Sequence, residues 1–113
     1  MMPTILVVED DPLIRRLVTH VLQSAGYQVA ALDASDAQEH FARHPPDLVL
    51  ADLHTRRMDG VDLAHWIRAQ HVIPIVVMTA DLVRVSIDAP VLMKPFTLQA
   101  LTDIVRDSLQ PHS

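Results

Sequence analysis

Two hydrophobic rhythms alternate along the chain. Four short runs are apolar at successive positions: Ile5-Leu6-Val7-Val8, Leu48-Val49-Leu50-Ala51, Ile75-Val76-Val77-Met78 and Val91-Leu92-Met93. A strand with one wet face alternates apolar and polar residues, so continuous β-branched runs predict strands buried on both faces of a parallel sheet. Tyr27 to Leu32 predicts a further strand with weaker patterning. Between these runs the spacing becomes helical: Leu13, Ile14, Leu17, Val18, Val21 and Leu22 fall on one stripe. Asp11 and Pro12 suit the cap and first turn of that helix, and Gly26 suits its left-handed stop. A second helix is expected from about Asp36 to His44, closed by Pro45-Pro46, and a third from about Val61 to Gln70. A last one begins near Thr97 and turns Leu98, Leu101, Ile104, Val105 and Leu109 inward. Strands alternating with helices predict an α/β fold whose parallel sheet is covered on both faces.

Composition narrows the classes of function. The chain has 113 residues, half of them apolar and a fifth charged, which is enough for one domain with a workable core. There is no cysteine, so no disulfide framework and no thiolate chemistry. A formal charge of −5 with scattered basic residues speaks against nucleic acid as a direct partner. No apolar run approaches the roughly 20 residues of a membrane span, and no secretory signal is recognisable. The expected location is the cytoplasm.

Chemistry gathers where the strands end. The first predicted strand is followed by Glu9-Asp10-Asp11, the third by Asp52, the fourth by Thr79 and the fifth by Lys94. Parallel strands bring these ends to one edge, which is where α/β sheets bind ligands. Clustered carboxylates suit a hard cation such as Mg²⁺. A carboxylate beside it can act as a nucleophile, a lysine supplies a point charge for phosphoryl oxygens, and a threonine hydroxyl can donate to one. Asp11 fits an N-cap better than a ligand. The seven histidines show no pair with convincing ligand spacing, and Trp66 is read as packing on the third helix.

In order, Leu6-Val7-Val8-Glu9-Asp10-Asp11, Leu50-Ala51-Asp52, Met58-Asp59-Gly60, Met78-Thr79-Ala80 and Lys94-Pro95-Phe96 resemble the landmarks of response-regulator receiver domains. One such motif is weak; five in the right order are highly specific. The resemblance runs from about Thr4 to Leu109. It implies a flavodoxin-like α/β fold with a five-stranded parallel sheet in the order 2-1-3-4-5. It makes Asp52 the phosphoacceptor and Asp10 a direct ligand of Mg²⁺ or Mn²⁺. Glu9 would hold the metal through water, and the His54 backbone carbonyl would complete the protein's share. Thr79 would bind the phosphoryl group and shift with it, Lys94 would pair with it, and the Lys94-Pro95 bond would be cis. Two residues past Asp52, the His54 side chain could overhang the site and influence attack by water.

Three departures from the family pattern bear on mechanism. Val91 stands where similar proteins have Tyr or Phe, so the aromatic switch that accompanies the threonine is missing. Only 14 residues separate Thr79 from Lys94, which leaves room for a single turn over Asp81 to Ser86 and no full fourth helix. Arg56 replaces a common proline in a basic loop after Asp52. The expectation is a single receiver domain over residues 1–113, with a core at about 4–109, a short tail and no output domain. It would take a phosphoryl group from a histidine kinase or histidine phosphotransfer protein and signal to a downstream protein, catalysing only its own phosphotransfer and autodephosphorylation. Its usual fourth-helix dimer face is in doubt, and its oligomeric state is open. The alternative is a phosphorylation-independent interaction module of the same fold. A phosphohydrolase is disfavoured, since Asp52 is not followed two residues later by an acid/base carboxylate.

Overall fold

A computed structural model describes residues 2–54, 60–81, 85 and 87–110. The elements alternate as β1 (Thr4–Val8), α1 (Pro12–Ser24), β2 (Gln28–Leu32), α2 (Ala34–Arg43) and β3 (Leu48–Asp52). They continue as α3 (Gly60–Arg68), β4 (Ile75–Thr79), β5 (Val91–Met93) and α4 (Leu98–Leu109). All five strands are parallel, in the order β2-β1-β3-β4-β5. β1 and β3 are therefore neighbours, and the chain reverses its direction of winding between them.

Strand periodicity divides the core into two layers. Leu6, Val8, Val49, Ile75 and Val77 point to one face, where they meet Phe41 of α2 and Leu63, Ala64 and Ile67 of α3. Ile5, Val7, Leu48, Leu50, Val76 and Met78 point to the other, against Val18 and Leu22 of α1 and Leu101 and Val105 of α4. A residue and its successor face opposite ways in a strand, which is why these runs must be apolar throughout.

The short β4–β5 crossover covers its share of the first layer without a helix among its described residues. Ile87 is buried there, Val85 and Ala89 pack beside it, and the Arg68 guanidinium donates to the Asp88 carbonyl. At this crossover the described residues form a direct apolar seal on the first layer. Met58 and Asp59 of the expected turn, the basic loop around Arg56 and most of the proposed turn over Asp81 to Ser86 lie outside the described residues.

Several local expectations need correction. Helix α2 starts at Ala34 rather than about Asp36, because the Asp33 carboxylate caps it by accepting from the Asp36 N–H at 3.3 Å. In α1 the six apolar positions are not all inward: Leu13 is 75% exposed and Leu17 47%. At about 100° per residue the stripe spreads over half the helix circumference, and the sheet covers only the part centred on Val18 and Leu22. Leu98, at the first turn of α4, is likewise 53% exposed. Helix α1 does close as expected at Gly26, which adopts a φ of 98° while the Tyr27 N–H returns to the Leu22 carbonyl at 3.1 Å.

These exposures make a stability contrast. Leu13→Ser should change the unfolding free energy by less than about 0.5 kcal/mol. Leu22→Ala should lower it by about 2–5 kcal/mol, since it opens a cavity beneath α1. Urea denaturation of the two variants beside the parent checks this, and equal losses would refute the inward face assigned to α1.

Candidate functional site

The carboxyl ends of β1, β3, β4 and β5 converge on one edge, as their register requires: Val8 lies beside Ala51, Asp52 beside Met78, and Thr79 beside Met93. The ladder continues just past the strands, with Leu53 N–H on the Met78 carbonyl and Lys94 N–H on that of Thr79. The residues that follow each apolar run are thereby fixed to within a side-chain length of one another. An open cavity of about 400 Å³ lies at this edge, lined by Glu9, Asp10, Asp52, His54 and Lys94 among others. A larger one, about 600 Å³, lies at the opposite end, between His71 to Ile75 and the carboxyl end of α4. It is mainly apolar and brings together no set of carboxylates, so the chemistry points to the smaller.

Lys94 organises the site. Its ammonium lies 2.9 Å from Glu9 Oε2 and 3.2 Å from Asp52 Oδ2. Glu9 and Asp52 are both buried, while Lys94 is only partly so. Burial pushes the Glu9 carboxyl above its ordinary pKa, and the hydrogen bond from Lys94 offsets this only in part. Burial by itself would depress Lys94, but the hydrogen bond to Glu9 and the charge of Asp52 outweigh it and hold the ammonium above its usual value. The lysine is therefore firmly charged. Glu9, Asp10 and Asp52 line the same cavity as this ammonium.

The remaining contacts hold the frame. Glu9 Oε1 accepts from the Asp11 N–H at 3.1 Å, and the Arg15 guanidinium donates to the Glu9 carbonyl at 2.9 Å. Asp11 caps α1 through the Leu13 N–H at 2.9 Å, as its sequence position implied. Asp10 Oδ1 accepts from the Ala34 N–H at the start of α2 at 3.3 Å. Asp52 Oδ1 accepts from the His54 N–H at 3.0 Å. The Lys94-Pro95 bond is cis.

Thr79 is fully buried and its hydroxyl is crowded. It lies 3.0 Å from His54 Nε2, accepts from the Asp81 N–H at 3.0 Å and donates to the Asp81 carbonyl at 3.2 Å. Val91 pairs with Val77 and packs against the α2–α3 layer, so the position of the usual aromatic residue is a short side chain within the sheet. Sequence reasoning brought together Glu9, Asp10, Asp52, Thr79 and Lys94, and the structure places them so. It missed the Lys94–Glu9 ion pair, the His54–Thr79 hydrogen bond and the Arg15 brace. Nothing in the sequence marks these, since each depends on which way a flexible side chain turns.

The donor set fits a hard divalent cation. Among the described residues no three carboxylate or imidazole side chains lie close enough to form a ready-made cage. Mg²⁺ does not require one, because it keeps several waters and takes only one or two carboxylates. Asp10 and Asp52, on adjacent strand ends, meet that need.

A family model described as the response regulator receiver domain matches residues 5–106. The chain belongs to that family. Its fold and strand order are those of the receivers of two-component signal transduction. It is 39% identical over 106 residues to the transcriptional regulatory protein PdtaR of Mycobacterium tuberculosis, covering 86% of this chain and 52% of that protein. It is 36% identical over 114 residues to the DNA-binding response regulator MtrA of Mycolicibacterium smegmatis, covering 94% of this chain and 50% of that one. The receiver thus spans about half the length of these curated relatives. Among solved structures, the chemotaxis response regulator CheY4 of Vibrio cholerae superposes with a TM-score of 0.86 at 25% identity, covering 96% of this chain and 99% of that one. A putative response regulator from Chloroflexus aurantiacus gives 0.85 at 27% identity, with coverage of 96% and 98%. No helix among the described residues is long and apolar enough to cross a membrane.

Proposed function

We propose that this receiver accepts a phosphoryl group on Asp52 from a phosphohistidine of a histidine kinase or phosphotransfer protein, and signals through contact with a downstream protein. The observation that carries the reading is the Lys94 ammonium set on Asp52 Oδ2 and Glu9 Oε2, at the edge where β1, β3, β4 and β5 end.

In the reaction an oxygen of Asp52 attacks phosphorus, an O–P bond forms, and the N–P bond breaks with its electron pair returning to the imidazole nitrogen. The Asp52 carboxylate is already oriented, with one oxygen on the His54 N–H and the other on Lys94. Lys94 can swing its charge from the carboxylate to the incoming phosphoryl oxygens, and Thr79 can donate its hydroxyl to one of them. Asp10, Asp52 and the His54 carbonyl, with Glu9 through water, would hold Mg²⁺ or Mn²⁺, which supplies charge neutralisation for those oxygens.

Incubation with acetyl phosphate and Mg²⁺ should add one phosphoryl group, read by intact-protein mass spectrometry. Asp52→Asn and chelation of the metal should each abolish the addition. A wild-type protein that stays unmodified while a control receiver is labelled would overturn the reading.

A further inference from the structure

His54 touches the side chains of both Asp52 and Thr79. Its backbone N–H is on Asp52 Oδ1 at 3.0 Å, and its ring Nε2 lies 3.0 Å from Thr79 Oγ1. We propose that the His54 imidazole is a positioning group that latches the Thr79 hydroxyl in the unphosphorylated arrangement, so that releasing this bond is part of the response to phosphorylation. The proposal rests on the reading of Asp52 as phosphoacceptor.

The capacity of a hydroxyl carries the argument. Thr79 Oγ1 has one hydrogen to donate and two lone pairs to accept with. With Nε2 protonated, the hydroxyl accepts from His54 and from the Asp81 N–H and donates to the Asp81 carbonyl, and every site is filled. With Nε2 unprotonated, the hydroxyl hydrogen is directed to the ring instead. In both tautomers a phosphoryl oxygen can receive this hydrogen only after a present bond is given up.

The partners differ in how they resist displacement. Asp81 is two residues from Thr79 on the same segment and can follow it. His54 lies 25 residues away, past the end of the neighbouring strand, so its bond opposes any shift of Thr79 relative to β3. Thr79 is fully buried, which keeps bulk water from replacing the lost partner cheaply. Val91, with its short side chain, provides no ring whose movement could accompany that of the hydroxyl. Asp52 is tied to the same His54 through the backbone, so a change at the carboxylate reaches the latch within one residue's length.

The test uses beryllofluoride with Mg²⁺, a phosphoryl mimic that binds carboxylates, titrated by NMR into wild type, His54→Leu and His54→Gln. His54 is exposed, so neither change threatens the fold. Glutamine carries an amide nitrogen the same number of bonds from Cα as Nε2 and can restore the contact. His54→Leu should bind roughly three- to tenfold more tightly than wild type and His54→Gln about as wild type, the effect of one hydrogen bond no longer broken. The Thr79 methyl resonance of unliganded His54→Leu should already lie part-way toward its position in saturated wild type. Equal or weaker binding by His54→Leu, or a glutamine variant that behaves like leucine, would overturn the latch. Failure of all three proteins to bind would instead remove the phosphoacceptor reading, and the latch with it.

Discussion

Lys94→Ala should slow labelling by acetyl phosphate about 10²–10³-fold, the loss associated with removing one preorganised charge from a phosphoryl-type transition state. The reason is positional. The ammonium is held on Asp52 Oδ2 at 3.2 Å, next to the atom at which the O–P bond would form. Its removal also leaves Glu9 and Asp52 as two buried carboxylates without their cation. Breaking a buried pair in this way costs about 3–5 kcal/mol in well-enclosed cases, and less here because Lys94 keeps part of its surface in water. Labelling should therefore be followed at saturating Mg²⁺, with circular dichroism to establish that the variant is folded. A folded Lys94→Ala protein labelled at the wild-type rate would show that Lys94 serves the metal-free fold and not the transfer.

Phe41→Ala should lower the unfolding free energy by about 3–5 kcal/mol, the largest loss expected from one core truncation in this chain. Phe41 is fully buried beneath α2. Its ring meets Trp66 of α3 edge to face at 5.6 Å and His71 at 5.5 Å, so it joins two helices as well as filling the first core layer. Truncation leaves a cavity lined by strand residues that are themselves held in register, and rigid walls cannot collapse into it. Urea denaturation of Phe41→Ala and Trp66→Ala separates the contributions. Since Trp66 is only partly buried, its loss should be the smaller; the reverse order would place the main anchor on α3.

The charge arrangement sets one edge of this sheet apart from the rest of the described fold. Four strands end in polar or charged residues at the same level, and burial of these groups is tolerable only because they satisfy one another. Among the described residues no buried side-chain polar atom is left without a partner. The site is thus stable in its resting arrangement yet rich in exchangeable partners. Lys94 can leave Asp52 for a phosphoryl oxygen, and Thr79 can leave His54, each trading one hydrogen bond for another. Function on this reading is a repartnering among groups that the fold has already desolvated.

Much of this was legible from the sequence by itself. Continuous apolar runs such as Leu48 to Ala51 fit strands with two buried faces, and their alternation with helical stripes points to a parallel sheet. That sheet carries Glu9, Asp52, Thr79 and Lys94 to one edge because each ends or directly follows a strand. Short-range chemistry was equally readable: Asp11 as a cap and Gly26 as a stop depend only on their neighbours. Tertiary structure alone decided what depends on distant partners. It showed which part of the α1 stripe meets the sheet, leaving Leu13 and Leu17 outside. It showed that Ile87 packs into the first core layer and that Arg68 donates to the Asp88 carbonyl at the short β4–β5 crossover. It turned Lys94 onto Glu9 as well as Asp52, and the His54 ring onto Thr79. Periodicity places a backbone because the chain's geometry repeats. The aim of a long polar side chain is set by the balance of burial and partner charge, and those exist only once separate strands have come together.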